Sequence, residues 1–156
     1  MCPDRPPARS VGRPGGPGPN VVELVSEPEL VAKAGALAER LEPGAVVWLE
    51  GDLGAGKTTM VKAMTRALGV DSVATSPTYS LVHHYEGRRG AVFHVDCYRI
   101  GQPDDAHDLD WERLTAGDVL LIEWPARAGV WAATPTVRVR LTHAEEPDRR
   151  WVEIIP

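Results

Sequence analysis

An apolar run, Val46-Val47-Trp48-Leu49, leads through Glu50 into Gly51-Asp52-Leu53-Gly54-Ala55-Gly56-Lys57-Thr58. Behind a strand, G-x-x-x-x-G-K-[ST] is the phosphate-binding P-loop, and it constrains its surroundings: a buried strand before it, a helix after it, and an open sheet edge at the turn. The glycines let the backbone curl so that its N–H groups face an anion. Lys57 supplies a mobile ammonium for the β- and γ-phosphates, and the Thr58 hydroxyl suits Mg²⁺. The following helix aims its positive end at the same anion. Asp52, Leu53, Gly54, Ala55, Gly56, Lys57, Thr58 and Thr59 are therefore the candidate nucleotide-binding residues. The bland alternative is a glycine-rich strand-to-helix turn that binds nothing.

Around this motif the chain reads as one α/β domain. Its length suits a single core, and 43% apolar against 25% charged residues is an ordinary globular balance. Residues 1–20 hold six prolines and four glycines without apolar periodicity, so a disordered tail is expected there and the domain is expected over 21–156. Val21 to Val25 is a short strand candidate. Ser26-Glu27-Pro28-Glu29 opens a helix as a capping box, and Leu30, Ala34, Leu37, Ala38 and Leu41 line one face of it. Pro43-Gly44 ends that helix. Lys57 to Leu68 is the helix after the P-loop, closed by Gly69. Tyr79 to Tyr85 and Ala91 to Val95 form a hairpin across Gly87-Arg88-Arg89-Gly90. Asp104 to Leu114 reads as one helix. Val119-Leu120-Leu121-Ile122 is a second strand buried on both faces. Val137, Val139 and Leu141 alternate with Arg138 and Arg140, and Trp151 to Ile155 closes the chain. The expected fold is α/β, a P-loop NTPase-like single domain. Its central sheet is mostly parallel and flanked by helices, with an added antiparallel hairpin.

Composition narrows the class of function. A net charge of −5 gives the chain as a whole no attraction for nucleic acid. Two cysteines, Cys2 and Cys97, cannot build a disulfide framework. No run of about 18 apolar residues exists to span a membrane, and the N-terminus lacks the apolar core of a signal peptide, so a cytoplasmic protein is expected.

Nucleotide hydrolysis needs more than a P-loop: hard oxygen ligands for a metal and a group that positions water. Asp96 ends the apolar strand Ala91–Val95 and Glu123 ends Val119–Ile122, so both carboxylates are expected at the rim where the P-loop lies. His94 shares a face with Asp96 and is a candidate to orient it or a nearby water. Because His83 and His84 are adjacent and point to opposite faces, a zinc cluster with His94 and Asp96 is disfavoured. Ser76-Pro77-Thr78 reads equally as a γ-phosphate sensor or as a turn bonded to its own backbone. The Arg138/Arg140 pair and Arg149-Arg150 read as a solvated strand face, with tRNA or a partner protein as the alternative.

Four motifs in fixed order, G-D-L-G-A-G-K-T-T (Gly51 to Thr59), S-P-T-Y-S-L-V (Ser76 to Val82), H-V-D-C-Y-R (His94 to Arg99) and I-E-W (Ile122 to Trp124), resemble the bacterial TsaE family, also called YjeE. The resemblance covers about residues 22 to 142. It implies a small, Mg²⁺-dependent P-loop ATPase needed for threonylcarbamoylation of the tRNA adenosine next to the anticodon. The family acts on the TsaB–TsaD heterodimer and meets tRNA only through that complex. The resemblance also implies adenine over guanine, Lys57 on the phosphates, Thr58 and Glu123 on Mg²⁺, Asp96 as the Walker B-like acid, Thr78 as the switch threonine and Trp124 beside the site. Where family members often carry G-L-D-E, this chain has Asp108-Leu109-Asp110-Trp111-Glu112. Two other readings of the same motifs are a small-molecule P-loop kinase and a nucleotide-sensing scaffold without turnover.

Overall fold

Strands that are apolar on both faces belong at the centre of a sheet covered by helices, and the two such runs of this chain lie side by side. The computed structural model describes residues 21–71 and 81–156. Seven strands, β1 (Val21–Ser26), β2 (Ala45–Gly51), β3 (Val82–Glu86), β4 (Ala91–Asp96), β5 (Val119–Glu123), β6 (Val137–His143) and β7 (Arg149–Ile155), make one sheet in the order β1-β7-β6-β2-β5-β4-β3. The neighbours β6-β2, β2-β5 and β5-β4 run parallel, while β3 pairs antiparallel with β4, and β7 with both β6 and β1. The sheet is therefore mixed, parallel in its middle, with antiparallel strands at both edges. The expected hairpin is the β3–β4 edge. Its first strand starts at Val82, and Tyr79 and Ser80 lie outside the described residues.

The sheet separates two apolar layers. On one side, α1 (Glu27–Arg40) and α2 (Lys57–Ala67) bury Leu30, Leu37, Met60 and Met64 against Val47, Leu49 and Leu121. On the other, Val46, Phe93, Leu120 and Ile122 pack against Ile100, Ala106 and Leu114. Each large aliphatic chain buried in this way stabilises the fold by roughly 1.5–3 kcal/mol. The capping box predicted at α1 is present: Glu29 N–H donates to Ser26 Oγ, and Ser26 N–H donates to Glu29 Oε1, both at 3.4 Å. Among the described residues no helix is long and apolar enough to cross a membrane.

The single helix expected over Asp104 to Leu114 is a correction. A 3₁₀ turn at Pro103–Ala106 and a separate α3 (Trp111–Thr115) take its place. Asp110 accepts the Arg113 N–H at 3.1 Å and so caps a new helix, while the Trp111 indole N–H donates back to the Ala106 carbonyl at 2.9 Å. Local side-chain bonding to backbone has outcompeted helix continuation. The chain then runs through β5 into a short α4 (Pro125–Ala128) and a 3₁₀ turn at Gly129–Trp131.

Candidate active site

Parallel strands present their carboxyl ends on one edge, and here that edge carries the P-loop and both acids. The β2–β5 register pairs Leu49 with Glu123, and the β5–β4 register pairs Glu123 with Asp96. Lys57, Thr58, Asp96, Glu123 and Trp124 consequently line one cleft of about 250 Å³, together with Leu53, Gly54, Gly56 and Thr59 from the loop. Asp52 and Ala55 complete the loop but do not line the cleft; Ala55 is buried beneath it. The glycine pattern has a steric cause. Gly51 has φ +153° and a Cβ there would sit 2.5 Å from the Leu141 carbonyl oxygen; Gly56 has φ +110° and a Cβ would sit 2.9 Å from Leu30 Cδ2.

Lys57 is only 5% exposed. Its ammonium donates to the carbonyls of Gly51 at 2.5 Å and Asp52 at 2.8 Å and lies 4.4 Å from the Trp124 ring centroid. Burial holds its pKa below the ordinary lysine value, against the pull of Glu123, Asp96 and Asp52. Burial likewise pushes Asp96 above the usual carboxylate range; the Tyr98 N–H, donating to Asp96 Oδ1 at 3.0 Å, opposes this, and the Glu123 charge adds to it. Next to Asp96, the Cys97 thiol is fully buried and burial pushes its pKa up to about 12, so it stays an inert thiol.

The hydrogen bond of His94 goes to Glu123: its Nε2 lies 2.6 Å from Glu123 Oε2, with the two side chains 0% and 3% exposed. His94 Nδ1 is buried without a partner among the described residues. The Nε2–H tautomer fits this setting: it donates to the carboxylate and leaves a bare lone pair at Nδ1, where an N–H would be stranded. His83 is the register partner of His94, with ring centroids 6.3 Å apart, and its Nδ1 lies 2.8 Å from the Tyr85 hydroxyl.

Trp124 carries φ +55°, the one left-handed non-glycine residue among those described. Such strain persists only where the surroundings enforce it, and here Pro125 disfavours the right-handed alternative while three groups hold the indole. Besides Lys57, these are Tyr98 at 5.1 Å between centroids and the Arg127 guanidinium at 5.5 Å. Arg127 also lies 4.9 Å over Tyr98. Tyr98 and Arg127 were not picked out from the sequence as site residues, although Tyr98 sits inside the H-V-D-C-Y-R motif. Thr78, with Ser76 and Pro77, lies outside the described residues.

Arg138 and Arg140 do not simply face solvent. Arg138 Nη2 donates to both Glu50 oxygens, at 2.9 and 3.1 Å, and Arg140 Nε reaches Glu50 Oε2 at 3.4 Å.

A family model described as "Threonylcarbamoyl adenosine biosynthesis protein TsaE" matches residues 24–151. Curated proteins named "tRNA threonylcarbamoyladenosine biosynthesis protein TsaE" are similar over most of the chain. That of Rickettsia conorii is 33% identical over 133 residues, 85% of this chain and 75% of its own. That of Nostoc sp. is 36% identical over 125 residues, 77% of this chain and 75% of its own. That of Aquifex aeolicus is 39% identical over 108 residues, 68% and 77%. Among solved structures, YdiB of Bacillus subtilis superposes with a TM-score of 0.69 at 26% identity, covering 87% of this chain and 85% of that one.

Proposed function

The chain belongs to the TsaE family, and from that premise we propose that it is a Mg²⁺-dependent ATPase serving threonylcarbamoylation of tRNA at the adenosine next to the anticodon. It acts in the cytoplasm on a TsaB–TsaD complex, without touching tRNA itself. The observation that carries the ATPase reading is the strand register that brings Asp96 and Glu123 into the cleft of Lys57 and Thr58. Two acids beside a buried ammonium suit a site that takes up a cation and a polyanion together.

The donor set fits Mg²⁺: Thr58 and Glu123 offer a hydroxyl and a carboxylate, hard oxygens lining one cleft. Bound there, the ion would neutralise charge on the β- and γ-phosphates. The chain's own residues do the rest. Lys57 exchanges the Gly51 and Asp52 carbonyls for phosphate oxygens, and negative phosphate raises the pKa that burial had lowered. His94 fixes the rotation of the Glu123 carboxylate. Asp96, held by the Tyr98 N–H, orients the attacking water. Trp124 shields the ammonium from solvent. Turnover is slow alone and rises in the TsaB–TsaD complex.

Phosphate release from Mg·ATP, measured for the protein alone and with TsaB and TsaD, tests this reading. The wild type releases phosphate to water, faster with the partners, and Lys57→Ala lowers kcat/KM at least about a hundredfold through lost charge-assisted bonds. Absence of ATP binding by calorimetry, alone and with the partners, overturns it.

A further inference from the structure

The phosphate loop is gripped from outside by a part of the sheet that no motif marks. β6 and β7 form a hairpin in which His143 and Arg150 are directly paired across the strands. His143 Nε2–H donates to the Leu53 carbonyl at 3.0 Å, and Arg150 Nη2 donates to the Gly54 carbonyl at 3.1 Å. One cross-strand pair thus holds two consecutive carbonyls of the loop. Arg150 Nη1 also donates to the carbonyls of Pro147 and Arg149, each at 2.8 Å, so the guanidinium ties the hairpin turn to the loop. The imidazole packs as well as bonds: a Cβ at Gly54 would lie 3.8 Å from His143 Cε1.

The geometry has a consequence for the amides. In a trans peptide the carbonyl and the next N–H point in opposite directions. With the Leu53 and Gly54 carbonyls turned out toward the hairpin, the N–H groups of Gly54 and Ala55 turn into the loop. Inside the loop the Ala55 N–H donates to the Asp52 carbonyl at 3.1 Å, a bond that a phosphate oxygen would have to replace. A glycine-rich loop left unheld would sample many conformations and lose that freedom on binding; a loop held beforehand does not.

We infer that His143 and Arg150 are positioning residues of the phosphate loop, which set nucleotide affinity by fixing its amides toward the triphosphate. The inference rests on the ATP-binding reading and extends it to a second segment of the chain. Neither residue contacts the reacting atoms, so their loss acts on binding and not on the chemical step.

Titration of the full-length protein with fluorescent mant-ATP and Mg²⁺, beside steady-state turnover, tests it. Arg150→Ala raises Kd about tenfold or more, as loss of a charged donor does, and His143→Ala raises it about threefold to tenfold. Arg150→Lys and His143→Gln, which keep a donor, recover most of the loss, and kcat at saturating ATP stays within about twofold of wild type. Should Arg150→Ala fail to fold, the exposed His143 pair carries the test alone. Unchanged Kd in the alanine variants, a fall in kcat with Kd unchanged, or equal losses in Ala and donor-keeping variants overturns the inference. A wild type that does not bind mant-ATP overturns the nucleotide reading itself.

Discussion

β2 divides the sheet into two halves that meet the same cleft differently. On one side, β5 and β4 run parallel to β2 and end beside it, so Glu123 and Asp96, 27 positions apart in the sequence, become register partners at one edge. On the other, β6 ends and β7 begins at that edge, and what reaches the loop is a pair of donors, His143 and Arg150. Parallel strands gather carboxyl ends, and with them groups for chemistry. An antiparallel turn gathers a connection, whose side chains hold backbone in place. The halves therefore divide into one that brings carboxylates into the cleft and one whose side chains hold the backbone of the loop.

The largest effect that can break this division lies in the parallel half. Glu123→Gln lowers ATP hydrolysis by about a hundredfold or more while leaving nucleotide affinity near wild type, because one ligand charge goes and the amide cradle stays. His94→Ala raises the Mg²⁺ concentration needed for half-maximal phosphate release by about tenfold to a hundredfold, as expected when the group orienting a ligand is lost. His94→Gln, which keeps a donor, falls between. A His94→Ala enzyme with wild-type metal dependence would mean that the buried pair is only core, and the parallel half would lose half of its claim.

Asp96→Asn sharpens the comparison at a smaller scale. Because burial raises the Asp96 pKa in the folded state, ionising it opposes folding. That cost is absent below the unfolded-state value of 3.8, grows as pH rises toward the folded value, and is complete above it. The Asn side chain still accepts the Tyr98 N–H but carries no charge. The variant without nucleotide therefore melts higher than wild type at neutral pH, and the gain shrinks as pH falls toward 3.8, even as hydrolysis is lost. Thermal melts from pH 4 to 8 check it. A gain that grows toward acid would reverse the sign and with it the assignment of Asp96 as a strained functional acid.

Much of the parallel half was legible in the sequence because its signals are local. Val46–Leu49 and Val119–Ile122 announce buried strands, Ser26 and Glu29 announce a cap, and the glycines before Lys57 announce a strand-to-helix turn. Asp96 and Glu123 were legible as strand-end acids. Which acid His94 serves was not, since that depends on β5 inserting between β2 and β4 and so bringing Glu123 against the β4 face. The break at 107–110 was missed because helical spacing survives across it, while the cap of Asp110 and the indole bond of Trp111 decide the backbone. His143 and Arg150 carry no motif. In the sequence Arg150 reads only as part of a solvated face; each side chain meets a loop about ninety residues earlier, and only the folded hairpin shows those contacts.

The smallest predicted effect belongs to the middle of β6, and it locates where the shaping half stops. Arg138 sits on Glu50, one residue before the P-loop, and 5.5 Å over the Trp48 ring. Its side chain is 34% exposed and that of Glu50 23%, so solvent screens the pair. Such pairs contribute at most about 1 kcal/mol. Arg140 keeps a second cation near Glu50 when Arg138 is removed. Arg138→Ala therefore lowers Tm by no more than about 2–4 °C. The difference narrows in 1 M salt, where screening acts over about 3 Å. Glu50 enters the loop only through its backbone, which the β2–β6 ladder holds whether or not the ion pair forms. The Kd for mant-ATP then stays within about twofold of wild type. If Arg138→Ala instead weakened nucleotide binding as much as Arg150→Ala, control of the loop would extend down the strand, and the turn at the end of the hairpin would have no special standing.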